Sequence, residues 1–272
     1  MQLTAALCLK AARYVAIIAD GNGRWAQARG APVTAGHEAG ADTLKERLRD
    51  AVEFGIEELT LYSFSTENWS RPIEEVQSLI SMLARRIAAE TPQLHREGVR
   101  MRFVGRREGV PHEMLDQMNW AETLTVGNQR LTLFIAFNYG GRAEILHAAK
   151  RFRGNTEEEF RRYLYAPEMH DPDLVIRTGG EQRLSNFLLW QTANSELVIR
   201  DELWPDFTRQ SLIESLAEFN ERLLCRTIAR DSSQGLERRT NGAERGAAKP
   251  SLKINSIERF ELPDISRQDI PQ

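Results

Sequence analysis

Tyr14-Val-Ala-Ile-Ile-Ala-Asp-Gly-Asn-Gly-Arg-Trp-Ala26 is the stretch on which the reading of the fold turns. Val15, Ile17 and Ile18 make a β-branched apolar run bounded by a polar turn, the pattern of a buried strand. The run stops at Asp20, and the chain then turns through Gly21, Asn22 and Gly23. Glycine tolerates positive φ there and lets backbone N–H groups approach a ligand without a Cβ in the way. Arg24 adds a rigid fork of donors. An acid at a strand end, a glycine turn and an arginine together suit a metal-bridged phosphate.

Outward from this stretch, apolar runs alternate with helical patterns. Leu44, Leu48 and Val52 share one face of a helix expected over 37–54, which Gly55 stops. Residues 56–64 read as a second strand, and Ile73, Val76, Ile80, Leu83 and Ile87 form the apolar stripe of a long helix over 73–97. Strands follow at 99–104, 131–137, 173–177 and 196–199, with helices over 111–124, 143–152, 157–164 and 208–224 between and after them. This alternation predicts an α/β fold: one domain with a central, mostly parallel sheet of about six strands flanked by helices. Residues 1–13 read as a lead-in helix, too short for a signal peptide or a membrane span, 14–230 as the domain, and 231–272 as a polar, mobile tail.

Composition narrows the classes. At 272 residues, with 41% hydrophobic and 28% charged residues, the chain can bury a substantial core. A formal net charge of −3 offers no basic field for nucleic acid. Cys8 and Cys225 fit no metal spacing and no disulfide framework, which suits a cytoplasmic protein.

In an open parallel sheet, ligands sit beyond the carboxyl ends of the strands. The loops placed there carry Arg24, Arg71, Arg142, Arg177 and Arg183, a set of forked donors suited to a polyanionic phosphate. Each arginine alone reads as a solvated surface residue; their repeated placement at strand ends is the signal. Asp20 and Glu196 are candidate magnesium ligands, although Glu196 reads equally as a solvated strand residue or an ion-pair partner. His37, near a helix start, can donate to an anion or simply neighbour a cap. Trp25 and Trp69 each follow a polar turn, where packing anchors are the commoner reading. The apolar stripe of 73–87 is core by default and equally suits the wall of a tunnel for a long apolar substrate. Gly21-x-Gly23-x-x-Ala26 formally matches a dinucleotide fingerprint. Bulky Arg24 and Trp25 inside it, and a carboxylate aimed at a pyrophosphate, weigh against that match.

Taken together, 20–26, Gly36-His37, Ser63-Phe-Ser-Thr-Glu-Asn-Trp-Ser-Arg-Pro72, Asn138-Tyr-Gly-Gly-Arg142 and Asp173 through Gln191 resemble the cis-prenyltransferase family, bacterial undecaprenyl diphosphate synthases in particular. Glu196 and Trp204-Pro-Asp-Phe207 continue the resemblance, which spans 14–224. It implies a homodimer with an apolar tunnel between sheet and helices. The implied activity condenses isopentenyl diphosphate units, with cis double bonds, onto an allylic diphosphate such as farnesyl diphosphate. Mg²⁺ is the implied cofactor and a long polyprenyl diphosphate such as undecaprenyl diphosphate the implied product. Residue by residue, Asp20 would be the essential acid at the metal, with Glu196 assisting. Gly21, Asn22, Gly23, Arg24, Trp25 and His37 would hold the allylic diphosphate, and Arg177, Arg183 and Ser185 isopentenyl diphosphate. Ser65, Asn68, Trp69 and Arg71 would form a closing loop, Asn68 acting at the reacting carbons, with Glu75 on its hinge side. A peripheral membrane contact through the lipid product is implied as well. The chain has no Asp-Asp-x-x-Asp run, the metal signature of trans-prenyltransferases.

Departures from the family pattern leave two alternatives, a shorter-chain synthase and a non-catalytic family member acting as a binding subunit. Ala19 stands where Met is usual and Val33 where a basic residue is usual. Asn194 replaces Tyr, Phe134 replaces Asn, Ala143 replaces Trp, and the segment after Lys150 is short.

Overall fold

A computed structural model of the protein describes residues 12–240, with side chains as far as Arg226. The expected lead-in helix falls almost wholly, and the tail beyond Thr240 entirely, outside the described residues. The chain divides into two units, Met1–Thr227 and Ile228–Gln272. The first carries the sheet; the described part of the second is the helical end of the last helix.

Six strands, β1 (Tyr14–Ile18), β2 (Glu58–Ser65), β3 (Val99–Val104), β4 (Leu131–Tyr139), β5 (Leu174–Arg177) and β6 (Glu196–Ile199), form one sheet in the order β3-β4-β2-β1-β5-β6. Every pairing is parallel, as the alternation of elements predicts. The helices are α1 (Asn22–Ala28), α2 (Val33–Glu53), α3 (Ile73–Arg96), α4 (His112–Thr125), α5 (Gly141–Arg151), α6 (Glu157–Arg161) and α7 (Arg209–Thr240). After β1 the chain adds β2 beside it, β3 at the edge of the sheet and β4 between those two. It then crosses β1 to lay down β5 and β6 on the other side. The crevice between the carboxyl ends of β1 and β5 is therefore the topological switch point, where parallel sheets bind ligands.

The pleat divides the core. Val15 and Ile17 of β1 and Leu133, Ile135 and Phe137 of β4 face a large cluster with Leu48 of α2, Leu79 and Ile87 of α3, and Met114 of α4. Ala16, Ile18, Phe134 and Ala136 face the other way, against Met169 and Phe187. Asn138 interrupts the alternation. Its φ of 49° turns the strand end so that Tyr139 joins the second cluster, not the first.

Three elements depart from the sequence reading in ways that bear on the site or the chain's end. The glycine turn holds only at Gly21 (φ 114°), since Asn22 opens α1 and Gly23 is helical. Helix α2 begins at Val33, directly after Pro32, and not at His37, because proline's fixed φ suits a helix start. Helix α7 runs on to Thr240, beyond the expected end at 224 and into the segment read as tail. Its polar residues there carry no apolar period to mark it, but they contain no proline to stop it.

Helix α1 docks on α2 through two glycines one turn apart. A Cβ on Gly36 would lie 2.0 Å from the Asn22 carbonyl oxygen, and one on Gly40 would lie 2.4 Å from Asn22 Oδ1. Gly36→Ala is therefore expected to push α1 off α2 and lower unfolding stability by about 1–3 kcal/mol, the usual cost of overpacking. Gly23→Ala, with nothing within 4 Å of the new carbon, should leave the urea midpoint unchanged or higher. Equal midpoints for the two variants would disprove the close approach.

Candidate active site at the switch point

Asp20 leaves β1 with its backbone clamped. Its N–H donates to Thr178 Oγ1 at 2.9 Å, and its carbonyl accepts from Thr178 Oγ1 at 2.7 Å and from the Trp204 N–H at 2.9 Å. Gly21 then turns left-handed against Leu203, where a Cβ would lie 2.7 Å from Leu203 Cδ2. The clamp aims the Asp20 carboxylate at two arginines. Arg177 Nη2 donates to Oδ2 at 2.9 Å, and Arg24 Nη2 lies 3.3 Å from Oδ1. Arg24 also donates to the Gly179 carbonyl at 3.0 Å, tying α1 to the loop after β5.

Arg177, last residue of β5, is 3% exposed. Besides Asp20 it donates to Glu181 Oε2 (2.7 Å), Ser185 Oγ (2.6 Å) and the Arg183 carbonyl, while its Nε has no partner. Arg183 meets the same two groups, Nη2 lying 2.5 Å from Glu181 Oε2 and Nε donating to Ser185 Oγ at 3.2 Å. Ser185, Asn186 and Leu188 all have positive φ (48°, 65° and 43°), a concentration of strained backbone of the kind found at functional sites. Asn186 holds this turn to two other loops. Its carbonyl accepts from the Gly141 N–H, its Oδ1 from the Arg142 N–H, and its Nδ2 donates to Glu67 Oε1 at 2.7 Å.

The loop after β2 is a short 3-10 turn, Thr66–Ser70, closed by Asn68 Oδ1 accepting from the Ser65 N–H at 2.9 Å. Arg71 follows, its Nη1 donating to Glu75 Oε1 at 3.0 Å. His37, on α2, faces this pair and sits 3.4 Å from Asn22 Nδ2 through Nδ1. Burial, then the nearby positive charge of Arg71, push its pKa down to about 4, and Glu75 opposes the shift. The imidazole is therefore neutral at neutral pH.

Below this polar mouth a cavity of about 810 Å³ runs between the sheet and the helices α2 and α3. Asp20, Gly21, Asn22, Gly23, Arg24, His37, Ser65, Asn68, Arg71, Arg177 and Ser185 line its opening. Leu44, Leu48, Leu61, Leu79, Met82, Ile87, Leu133 and Ile135 line its depth. Part of the wall is charged: Arg86 of α3 pairs with Glu38 and Asp42 of α2, and Lys45 with Glu90.

Four expected site residues do not line the cavity. Trp25 donates to Asp206 Oδ1 at 2.8 Å and lies under the Arg29 guanidinium. Trp69 packs edge-on against Phe64 and donates to Asn138 Oδ1 at 2.8 Å, so both tryptophans anchor loops. Arg183 stands at the exposed rim and reaches the site through Ser185 and Glu181. Glu196 needs a correction. It pairs in register with Leu174, the first residue of β5, whereas Asp20 follows the opposite end, where Ile18 pairs with Arg177. Within one chain Glu196 is held by Arg222 and Arg226 of α7 and not beside Asp20. Among the described residues, no group of three or more His, Cys, Asp or Glu is placed to hold a metal ion. Asp20 alone fits a hard cation, which would draw its remaining ligands from diphosphate oxygens and water, a habit of Mg²⁺.

Thr178 and Glu181 were not singled out from the sequence. Glu181, four residues after Arg177 across two glycines, had a readable signal in that spacing. Phe134 and Asn194, two of the departures, lie outside the cavity wall, Phe134 on the other face of the sheet and Asn194 at the surface. Ala19 and Val33 do line the cavity.

Comparison with known proteins agrees with this geometry. Residues 18–224 match the family model described as "Putative undecaprenyl diphosphate synthase". An isoprenyl transferase of Thermotoga maritima is 48% identical over 219 residues, covering 77% of this chain and 94% of its own length. Isoprenyl transferase 2 of Bradyrhizobium diazoefficiens is 48% identical over 220 residues, 77% of this chain and 87% of its own. Among solved structures, lavandulyl diphosphate synthase from Lavandula x intermedia, in complex with dimethylallyl diphosphate, superposes with a TM-score of 0.75. It is 31% identical, over 77% of this chain and 95% of that one. Sequence, sheet order and the arginine-lined mouth agree: the chain belongs to the undecaprenyl diphosphate synthase family and is a prenyltransferase.

Proposed function

We propose that the protein lengthens an allylic diphosphate by condensing isopentenyl diphosphate units onto it with cis double bonds. Farnesyl diphosphate is the proposed primer and a long polyprenyl diphosphate such as undecaprenyl diphosphate the product. The observation that carries this reading is the junction of an arginine-lined mouth with a deep apolar cavity of about 810 Å³. A diphosphate with a long hydrocarbon tail has those two requirements in one molecule.

Each cycle breaks the C–O bond at the allylic carbon, forms a C–C bond to the isopentenyl double bond, and loses one proton to the departing diphosphate or a neighbouring polar group. Gly21, Asn22, Gly23, Arg24 and His37 would receive the allylic diphosphate, and Arg177, Ser185 and Arg183 the isopentenyl diphosphate. Asn68, on the loop that Ser65 and Arg71 flank, would act at the reacting carbons. Mg²⁺ at Asp20 would supply neutralising charge for the leaving diphosphate. The arginines supply the same kind of stabilisation from preorganised positions, where charge develops away from bulk water.

We infer further that the protein works as a homodimer in the cytoplasm and meets the membrane through its lipid product. Among the described residues no helix is long and apolar enough to cross a membrane. A shorter product is the second reading, favoured by the bounded volume of the cavity.

The deciding experiment incubates the protein with farnesyl diphosphate and labelled isopentenyl diphosphate, with Mg²⁺ or with EDTA, and sizes the product. Long magnesium-dependent product supports the proposal, and short product moves it to the second reading. No product from any allylic primer would leave a non-catalytic binding subunit.

Asp20→Ala should lower turnover about 100-fold or more, the scale set by losing one preorganised charge-stabilising group. Because Glu181 still compensates Arg177, its circular-dichroism melt should stay close to that of the native chain. Val33 opens α2 on the cavity wall and is 41% exposed, so an arginine has room there. Val33→Arg should lower KM for the allylic diphosphate by about tenfold or more, the scale of the ~1.5–3 kcal/mol of a charged hydrogen bond; an unchanged KM would refute the missing-donor account.

For His37 the sign of the pH effect follows from the depressed pKa. The unfolded imidazole takes up a proton below its ordinary 6.5, the folded one only near 4, so stability falls as pH drops through that window. His37→Gln should flatten this part of the profile in urea titrations, and an unchanged slope would show that His37 is not the responsible group.

A further inference from the structure

Glu181 bridges the two arginines that would grip isopentenyl diphosphate. A single carboxylate oxygen, Oε2, lies 2.7 Å from Arg177 Nη2 and 2.5 Å from Arg183 Nη2. The side chain is brought back to them by Gly179 and Gly180, whose φ values of 83° and 78° fold the loop on itself. A guanidinium has five N–H donors. On Arg177, Nη2 serves Asp20 and Glu181, and Nη1 serves Ser185 and the Arg183 carbonyl. The remaining Nε is buried without a partner. For a phosphate oxygen to reach the Nη edge of Arg177, one of these acceptors must leave.

The acceptors are not equally held. Asp20 is fixed by its clamped backbone, and Ser185 by a second bond from Arg183 and its left-handed turn. The Arg183 carbonyl is main chain. Glu181 is different: its side chain is 36% exposed and, among the described residues, it accepts a hydrogen bond from Arg177 and otherwise only ion-pairs with Arg183. We propose that Glu181 is an internal stand-in for the diphosphate, a carboxylate that holds Arg177 and Arg183 at a spacing one phosphate group can bridge and yields that place to the ligand. This rests on the reading that the mouth receives diphosphates.

A selectivity filter follows from charge. An incoming anion gains over Glu181 only if it offers the arginines more negative charge than one carboxylate. Diphosphate does, while singly charged anions exchange one like interaction for another. Glu181 thus acts as a positioning and specificity residue and does not touch the reacting carbons.

The test measures inorganic pyrophosphate and inorganic phosphate binding by calorimetry, without added metal, to the native full chain, Glu181→Gln and Glu181→Asp. Glu181→Gln keeps the shape and removes the competing charge. It should bind pyrophosphate about tenfold tighter, the scale of one charged hydrogen bond relieved of competition, and should discriminate less between pyrophosphate and phosphate. Glu181→Asp, which keeps the charge, should stay close to the native chain. Unchanged or weaker pyrophosphate binding by Glu181→Gln overturns the proposal, as does Glu181→Asp behaving like Glu181→Gln. Product formation by the native chain, assayed in parallel, separates the two claims. Turnover without the expected tightening removes the stand-in role alone, whereas neither turnover nor pyrophosphate binding in any variant removes both.

Discussion

A guanidinium buried at the end of a strand must be neutralised and hydrogen-bonded where it stands, because an uncompensated charge in a low-dielectric interior is costly. Arg177 is that group. Its partners come from the end of β1 (Asp20) and from the loop that follows β5 (Glu181, Ser185), so meeting its demand brings together the two strand ends that flank the switch point. The surrounding geometry follows. Thr178 and Trp204 clamp Asp20 from behind. In the turn at 185–188, left-handed backbone at Ser185, Asn186 and Leu188 costs roughly 1–3 kcal/mol at each. It is held because Ser185 serves two arginines and Asn186 ties down the neighbouring loops.

How much of this the sequence discloses depends on what kind of force sets each feature. Strands β3, β5 and β6 were legible almost to the residue, since short apolar runs between glycines and polar turns leave little choice of register. Helix α1 was not. Asn22 and Gly23 are poor helix formers, and what makes the segment helical is its seat against Gly36 and Gly40, a tertiary contact that propensity does not encode. Most of the mouth residues were readable because they stand at strand ends, where chemistry collects in this class of fold. Glu196 opens β6, as the sequence reading of 196–199 already places it, at the end of the sheet opposite Asp20, and within one chain the two carboxylates do not meet. The second carboxylate that the fold sets beside Arg177, after Asp20, is Glu181, brought there where two consecutive glycines fold the loop back.

The cavity illustrates the same distinction. The stripe on α3 reads as core, and Val76, Ile80 and Ile87 are buried while Ile73 is exposed; only the placement of α2 and α3 over the sheet shows that the apolar faces enclose space. Where the two helices approach each other, ion pairs from Arg86 and Lys45 replace apolar packing in the wall.

The pleat of β4 has a consequence for how such a protein diversifies. Leu133, Ile135 and Phe137 look into the cavity while Phe134 and Ala136 look away from it. The strand is a partition wall with two independently papered sides. Exchanges at 133, 135 and 137 would resize the lumen, and exchanges at 134 and 136 would fall on the packing behind. The volume enclosed behind the charged doorway can therefore change by alternate letters of one strand while the partition itself stays intact.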